Sequence, residues 1–193
     1  MREGQNMDTM TIVAVAIAVI ALAVAAWALM QVRTTRHLRS RFGPEYDYTV
    51  ERSGDRRSAE AELANREARV QKLHIRRLTQ EERDRFSQSW RDQQARFVDD
   101  PRGAVTAADA LVTEALSTCG YPTADFNTQL GDASVDHPRV VGKYREAHAI
   151  AARNREGKAG TEDLRQAMIC YRALFEDLLG TQVIEDSHQE VQR

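Results

Sequence analysis

The chain has few of the residues that usually mark a chemical site. Its 193 residues include only two cysteines, Cys119 and Cys170. Two are too few for a disulfide framework, and we expect both to be free, partly buried thiols. The zinc spacings HExxH, HxxxH and CxxC are missing, and so are glycine-rich phosphate loops and the GxSxG nucleophile motif. These absences predict a protein that is not an enzyme, with no catalytic residue and no cofactor.

Strand patterns and internal repeats are also missing. No window alternates apolar and polar residues over the length of a strand, and no segment recurs with a period of 20–50 residues. From residue 79 onward apolar residues recur at helical spacing instead. The sequence therefore predicts an all-α protein, in which one N-terminal transmembrane helix precedes a small helical bundle.

Charge argues against nucleic acid as a partner. The chain carries 27 basic and 29 acidic residues. Five of the basic and two of the acidic residues lie in the first 41 positions, so 22 basic and 27 acidic residues remain beyond them. A mildly acidic domain lacks the basic surface that holds phosphate backbones, so no nucleic-acid partner is expected.

One long apolar run stands out against this charged background. Residues 10–30 contain no charged side chain, and Trp27 lies near the end of the run, where an interfacial aromatic is expected. About 20 apolar residues span a bilayer as a helix, so we predict a transmembrane helix over residues 9–32. A cleaved signal peptide is the alternative. Its apolar region would be shorter, about 7–15 residues, and would follow a basic segment, whereas here Glu3 and Asp8 offset Arg2.

Basic residues follow the span and predict its orientation. Arg33, Arg36, Arg39 and Arg41 come directly after it. Such clusters stay on the cytoplasmic side, so residues 1–8 are predicted to be extracytoplasmic and the C-terminal part cytoplasmic, at the plasma membrane. We expect the cluster to contact lipid headgroups, because the bilayer is the nearest anionic partner.

Two segments separate the span from the predicted bundle. Residues 33–54 are expected to be a basic juxtamembrane segment and linker, interrupted by Gly43-Pro44. Within it, Tyr46, Tyr48 and Val50 are enough for a short helical piece that packs on another part of the chain. Residues 55–78 are expected to be a charged helix. Its apolar seam is narrow and includes one arginine: Ala59, Leu63, Arg66, Val70 and Leu73. This helix either rests on its neighbours or acts as a dimerising stalk.

The bundle is predicted over residues 79–180, ahead of a flexible tail at 181–193. Its predicted helix starts are Thr79 with Glu82 as a capping box, Asp100 before Pro101, Asp136 to Pro138, and Thr161 as a cap. The stretch 123–135 is ambiguous between a short helix and a loop.

Four phrases of the sequence carry a family resemblance. They are LRSRFGPEYD from Leu38, ARFVDDP from Ala95, SVDHPRVV from Ser134 and TEDLRQAM from Thr161. Together they resemble a family of uncharacterised single-pass bacterial membrane proteins with a helical cytoplasmic domain. The resemblance implies the same architecture here and implies no activity.

Three residues are weak candidates for a metal site: His148, Cys170 and His137. Imidazole and thiolate groups bind metals, but a site needs three or four converging ligands. His148 lies on the apolar face of its helix, so we expect a buried core residue with one hydrogen bond. His137 precedes a proline and is expected at a helix entry. The sequence therefore predicts no metal site.

The expected function is that of a membrane-anchored cytoplasmic helical module that binds or scaffolds proteins. One alternative is a sensor of a small ligand or metal built around His148 and Cys170. Another is a structural membrane protein that forms a homodimer through helix 55–73.

Overall fold

The described part of the chain is entirely helical. A computed structural model describes residues 3–123 and 125–180. Within these ranges there is no strand, and there are eight helices: α1 (Glu3–Phe42), α2 (Pro44–Ser53), α3 (Arg56–Val70), α4 (Gln80–Arg96), α5 (Pro101–Cys119), α6 (Phe126–Asp136), α7 (Val141–Arg155) and α8 (Thr161–Leu179). The all-α prediction is confirmed. The predicted tail, 181–193, lies outside the described residues.

The chain divides into two compact units, Met1–Ser40 and Arg41–Arg193. The first unit consists of most of α1. From Thr11 to Phe42 this helix is long and apolar enough to cross a membrane, and its most apolar window is not buried at all. The predicted membrane segment, 9–32, therefore lies within one helix, and the side chains of residues 11–32 are exposed.

Near the start of the second unit, Gly43 ends the long helix. Gly43 has φ of +48°, and Pro44 is the first residue of α2, where a missing N–H breaks no helical hydrogen bond. We predicted residues 33–54 as a juxtamembrane segment and linker. Within it, residues 44–53 form α2, whose Glu45, Tyr46 and Thr49 are buried. The short packed helical piece that Tyr46, Tyr48 and Val50 indicated within this linker is therefore present, and it packs on α3.

The charged helix is shorter than the predicted 55–78. Asp55 caps α3 by accepting a hydrogen bond from the Ser58 N–H at 2.9 Å, and the helix ends at Val70. Residues 71–79 leave the helix and run beside the end of α5, where the Arg76 N–H donates to the Cys119 carbonyl at 2.9 Å. This connection forms part of the cavity described below.

Gly120 permits that close approach. It ends α5 with φ of +104°, and a Cβ at this position would lie 2.7 Å from the carbonyl oxygen of His74. A side chain would therefore clash with backbone as well as strain the turn. The predicted end of this helix at Gly120 is confirmed.

Two predicted helix starts have the expected caps. The Thr79 hydroxyl accepts from the Glu82 N–H at 3.2 Å, and the Glu82 carboxylate accepts from the Thr79 N–H at 2.8 Å, forming a capping box. Asp100 accepts from the Gly103 N–H at 2.9 Å, and Pro101 is the first residue of α5.

Two other starts are displaced. Asp136 ends α6, residues 137–140 turn, and α7 begins at Val141 rather than at the predicted Asp136 to Pro138. A residue before proline avoids helical angles, which favours the intervening turn. Thr161 is the first residue of α8 instead of its cap. Gly160 is the cap, and its N–H donates to the Asp163 carboxylate at 3.1 Å.

The main core lies among α4, α5, α7 and α8, with α6 on its edge. The closest pairing is between α7 and α8, and α5 packs on both α4 and α8. Trp90 stacks on Phe175 with ring centroids 5.2 Å apart, and Phe86 meets Phe175 edge-on. Fully burying a side chain of the size of Phe175 contributes roughly 1.5–3 kcal/mol, so this aromatic group is a principal source of stability.

Helices α2 and α3 pack on each other apart from this main core. Their buried apolar residues, among them Tyr46, Leu63 and Val70, do not belong to the main cluster, and α3 also packs on α6. The predicted seam is buried in this fold at Ala59, Leu63, Arg66 and Val70, and is half-buried at Leu73. The seam therefore faces the chain's own helices.

Candidate functional site

The three candidate metal ligands lie apart, each beside a different carboxylate. The pairs are His148 Nδ1 with Asp109 at 2.9 Å, His137 Nδ1 with Asp177, and Cys170 Sγ with Glu146 at 3.5 Å. Within residues 3–123 and 125–180, no three His, Cys, Asp or Glu side chains are grouped to hold a metal ion. The fold does not bring the candidates together.

The most connected of these carboxylates is Asp109 on α5. It accepts hydrogen bonds from the Tyr171 hydroxyl at 2.6 Å, from His148 at 2.9 Å and from Arg155 at 3.1 Å. These partners come from α7 and α8, so one largely buried carboxylate joins three helices. This role was not predicted, because a single Asp inside a helix is ordinarily solvent-exposed.

His148 is half-buried, which differs from the buried core residue that we predicted. Its side chain is 25% exposed, and its ring stacks on Phe126 with centroids 3.6 Å apart and planes inclined by 10°. One expected feature is present, since Nδ1 has a hydrogen-bond partner. No Ser, Thr or Cys side chain among the described residues is hydrogen-bonded to the imidazole, so the Asp109–His148 pair has no adjacent nucleophile.

The surroundings of Asp109 shift the pKa values of the groups that face it. Burial raises the pKa of the Asp109 carboxyl, but hydrogen bonds from His148 and Tyr171 outweigh burial and leave that pKa lowered. Burial, together with the neighbouring Asp109 charge, raises the pKa of Tyr171, and burial raises that of Tyr144 to about 12. The site thus holds a carboxylate beside neutral phenols at neutral pH.

Elsewhere in the second unit lies a groove of about 1070 Å³. We call it the α4–α8 groove. It is lined by the segment 71–78, the start of α4 and the ends of α5, α6 and α8. Apolar residues line much of it: Val70, Leu73, Ile75, Leu78, Val135, Leu178 and Leu179. Four arginines and four carboxylates share the lining: Arg41, Arg76, Arg77, Arg83, Glu67, Asp84, Asp136 and Asp177.

Ion pairs hold two sides of the groove in place. Arg41 donates to Asp136 at 2.9 Å, and the Tyr121 hydroxyl donates to the same carboxylate at 2.8 Å. Arg76 forms two hydrogen bonds of 2.7 Å with Glu82, and this guanidinium is the main reason that the pKa of Glu82 falls to about 2. Charged groups thus stand beside the apolar lining.

The groove also contains a cysteine, Cys119, that is unsuited to catalysis. Burial raises the pKa of its thiol to about 11, and burial likewise raises that of Cys170 to about 11. The thiolate is the reactive form of cysteine, so both residues are poor nucleophiles at neutral pH. They are free and buried, as we predicted.

The basic residues after the span have different surroundings. Arg33, Arg36 and Arg39 are exposed on α1, as contact with lipid headgroups requires. Arg41 instead pairs with Asp136, although its side chain remains 44% exposed. The four arginines were predicted to act together at the membrane. In the structure, Arg41 belongs to the second unit and forms an ion pair there.

A buried ionic network was also not predicted. Glu45 on α2 accepts from Arg66 at 3.1 Å and from Arg145 on α7 at 2.8 and 2.9 Å. Arg66 also donates to the Ser134 hydroxyl at 3.2 Å. The one available signal was Arg66 itself, a charged residue within an otherwise apolar seam.

Comparison with known proteins does not assign the chain to a family. The chain matches no protein-family model, no curated protein and no solved structure. The resemblance to single-pass bacterial membrane proteins therefore stays a prediction, and the function must be argued from the geometry.

Proposed function

We propose that the chain is a non-catalytic helical module, anchored in the plasma membrane of a bacterium, that binds a protein partner in the α4–α8 groove. The observation that carries the proposal is the groove itself, which has a volume of about 1070 Å³ and is lined by both apolar and charged residues. The scattered His and Cys candidates and the protonated thiols favour a binding role over a catalytic one.

The size and lining of the groove favour a protein segment over a small ligand. Small-molecule pockets usually occupy about 300–1,000 Å³ and are mostly apolar with few polar groups. This groove is slightly larger than that range, and its lining contains eight charged side chains beside the apolar ones. Protein interfaces combine apolar and polar residues in this way.

The proposed orientation rests on the basic cluster. Because Arg33, Arg36 and Arg39 are exposed immediately beyond the apolar helix, the positive-inside rule places the second unit in the cytoplasm. A cytoplasmic-active reporter fused to the C-terminus should be active, and a reporter active only outside the cytoplasm should be silent. The reverse pattern would refute this orientation and reopen the signal-peptide alternative.

Site-specific photo-crosslinking tests the groove as a binding site. A photoreactive amino acid would replace Ser87, which lines the groove, or Gln88, its exposed neighbour outside the groove on α4. After irradiation of native membranes we expect a discrete protein adduct from position 87 and none from position 88. Adding Leu73→Asp, a charge in the apolar lining, should abolish that adduct.

Each remaining outcome of the crosslinking is also informative. Equal adducts from both positions would mean non-specific contact and would refute the groove as the site. An adduct containing a second copy of the chain would support the structural homodimer instead. Absence of any protein adduct, with retained crosslinking of a small metabolite, would favour the ligand sensor.

A further inference from the structure

Helices α2 and α3 form a piece of the second unit with its own packing, which we call the juxtamembrane arm (residues 44–70). Within the arm, the Tyr46 hydroxyl donates to Glu60 at 2.8 Å and Arg66 pairs with Glu45 at 3.1 Å. Its buried apolar side chains stand outside the main core cluster. The main core cluster therefore contains no side chain of the arm.

Several charged groups link the arm to the rest of the unit. Glu45 pairs with Arg145 on α7 at 2.8 Å, and Arg69 pairs with Asp132 on α6 at 2.6 Å. Both carboxylates are almost fully buried, with side chains 2% and 0% exposed. Arg66 adds a hydrogen bond to Ser134 on α6. These contacts cross the boundary, whereas the Glu45–Arg66 and Tyr46–Glu60 contacts remain inside the arm.

The buried ion pairs add little net free energy to the docking of the arm. Taking paired charges out of water costs nearly as much as their attraction returns, so a buried ion pair is often no better than an apolar contact of the same volume. Opening the interface rehydrates those charges, whereas opening the main core would expose its aromatic residues. Local opening of the arm should therefore require less free energy than unfolding of the core.

The chain has a flexible point on each side of the arm. Gly43 precedes α2 with φ of +48°, and a Cβ built there would meet no atom within 4 Å. After Val70 the chain leaves the helix and becomes helical again at Gln80. Loop and helix-end residues of this type are where hinge movements occur.

We propose that the juxtamembrane arm undocks from α6 and α7 as one unit while the main core stays folded. Arg41 precedes the arm and pairs with Asp136 on α6, so the movement is confined to residues 44–70. Glu67 and Val70 of α3 line the α4–α8 groove, so undocking also removes one side of the groove. This second consequence, regulation of partner binding, rests on the proposed function, and the undocking itself does not.

Amide hydrogen exchange of the full chain in detergent micelles tests the undocking without any partner. Arg145→Met removes the link to α7 and leaves the Glu45–Arg66 pair inside the arm intact. Arg153→Met is the matched control, since Arg153 is an exposed arginine of the same helix that pairs with Asp163 on α8 instead. Arg145→Met should speed exchange in α2 and α3 together by at least about tenfold. Exchange in α5 and α8 should not change, and Arg153→Met should leave the arm as in the wild type.

Three results would overturn the proposal. Equal acceleration in α2, α3, α5 and α8 would show that the arm and the core unfold together. Acceleration in α2 alone would show that the arm is not one unit, and no acceleration at all would show that the ion pair does not hold it. Arg69→Met, which removes the link to Asp132 on α6 and leaves the pairs inside the arm intact, is the second variant should Arg145→Met not fold, and the same three results apply to it. Because no partner is present, a failed groove would leave these results unchanged.

Discussion

The carboxylate of Asp109 and the hydroxyl of Tyr171 are joined by a hydrogen bond of 2.6 Å, although 62 positions separate them in the chain. The contact links α5 to α8, and Asp109 holds His148 and Arg155 of α7 at the same time. One acidic residue thus connects three of the four helices that build the main core. It is the natural first target for mutation.

Asp109→Asn should lower the free energy of unfolding by about 2–4 kcal/mol. The amide keeps the size of the side chain but removes the charge that His148 and Arg155 face, and a buried group left without its charged partner is costly. Denaturant unfolding, followed by the fluorescence of Trp90 in a Trp27→Phe background, measures the loss. Asp92→Asn, an exposed acid on α4, is the control and should change stability by less than about 0.5 kcal/mol.

The lowered pKa of Asp109 also predicts a dependence on pH. The folded carboxyl binds protons less readily than the unfolded one, whose pKa is about 3.9. Its contribution is therefore fully present above that value and is lost as the pH falls through the folded pKa. Between pH 5 and pH 2 the wild type should lose more stability than Asp109→Asn. Parallel losses in the two proteins would show that Asp109 does not contribute to the acid sensitivity.

His148→Ala should cost on the order of 1–3 kcal/mol, through the lost hydrogen bond to Asp109 and the lost stacking on Phe126. His74→Ala, an exposed histidine, should change stability little. The same melting experiment distinguishes a metal site. If Zn²⁺ raised the melting temperature of the wild type, and neither His148→Ala nor Cys170→Ala showed the increase, the metal-sensor alternative would replace the structural role.

Gly120→Ala should destabilise the protein by more than about 1 kcal/mol. The residue has φ of +104°, and the new methyl group would meet the backbone oxygen of His74, which cannot rotate away. Gly142→Ala is the matched control, because a Cβ there has open space and alanine favours the helix. Its melting temperature should stay level or rise. Equal effects of the two substitutions would contradict the close approach at His74.

Local signals in the sequence predicted the helices well. The capping box at Thr79 and Glu82, the Asp100-Pro101 start and the Gly120 end depend on residues within a few positions of each other, so they can be read along the chain. The start of α7 was wrong by a few residues because the Asp136 to Pro138 stretch is compatible with both a cap and a turn. Helix boundaries are sensitive to such competition.

What the sequence determined by itself is the apolar helix, the all-α class and the periodic faces of the bundle, because each follows from composition and spacing over a few turns. Tertiary structure alone decided which charged residues meet. Asp109 with Tyr171, Glu45 with Arg145 and Arg41 with Asp136 are 62, 100 and 95 positions apart. No periodicity encodes such pairs, since a polar residue looks the same in sequence whether it faces water or a buried partner. The groove likewise exists only because distant helix ends converge, and so its residues could not be grouped in advance.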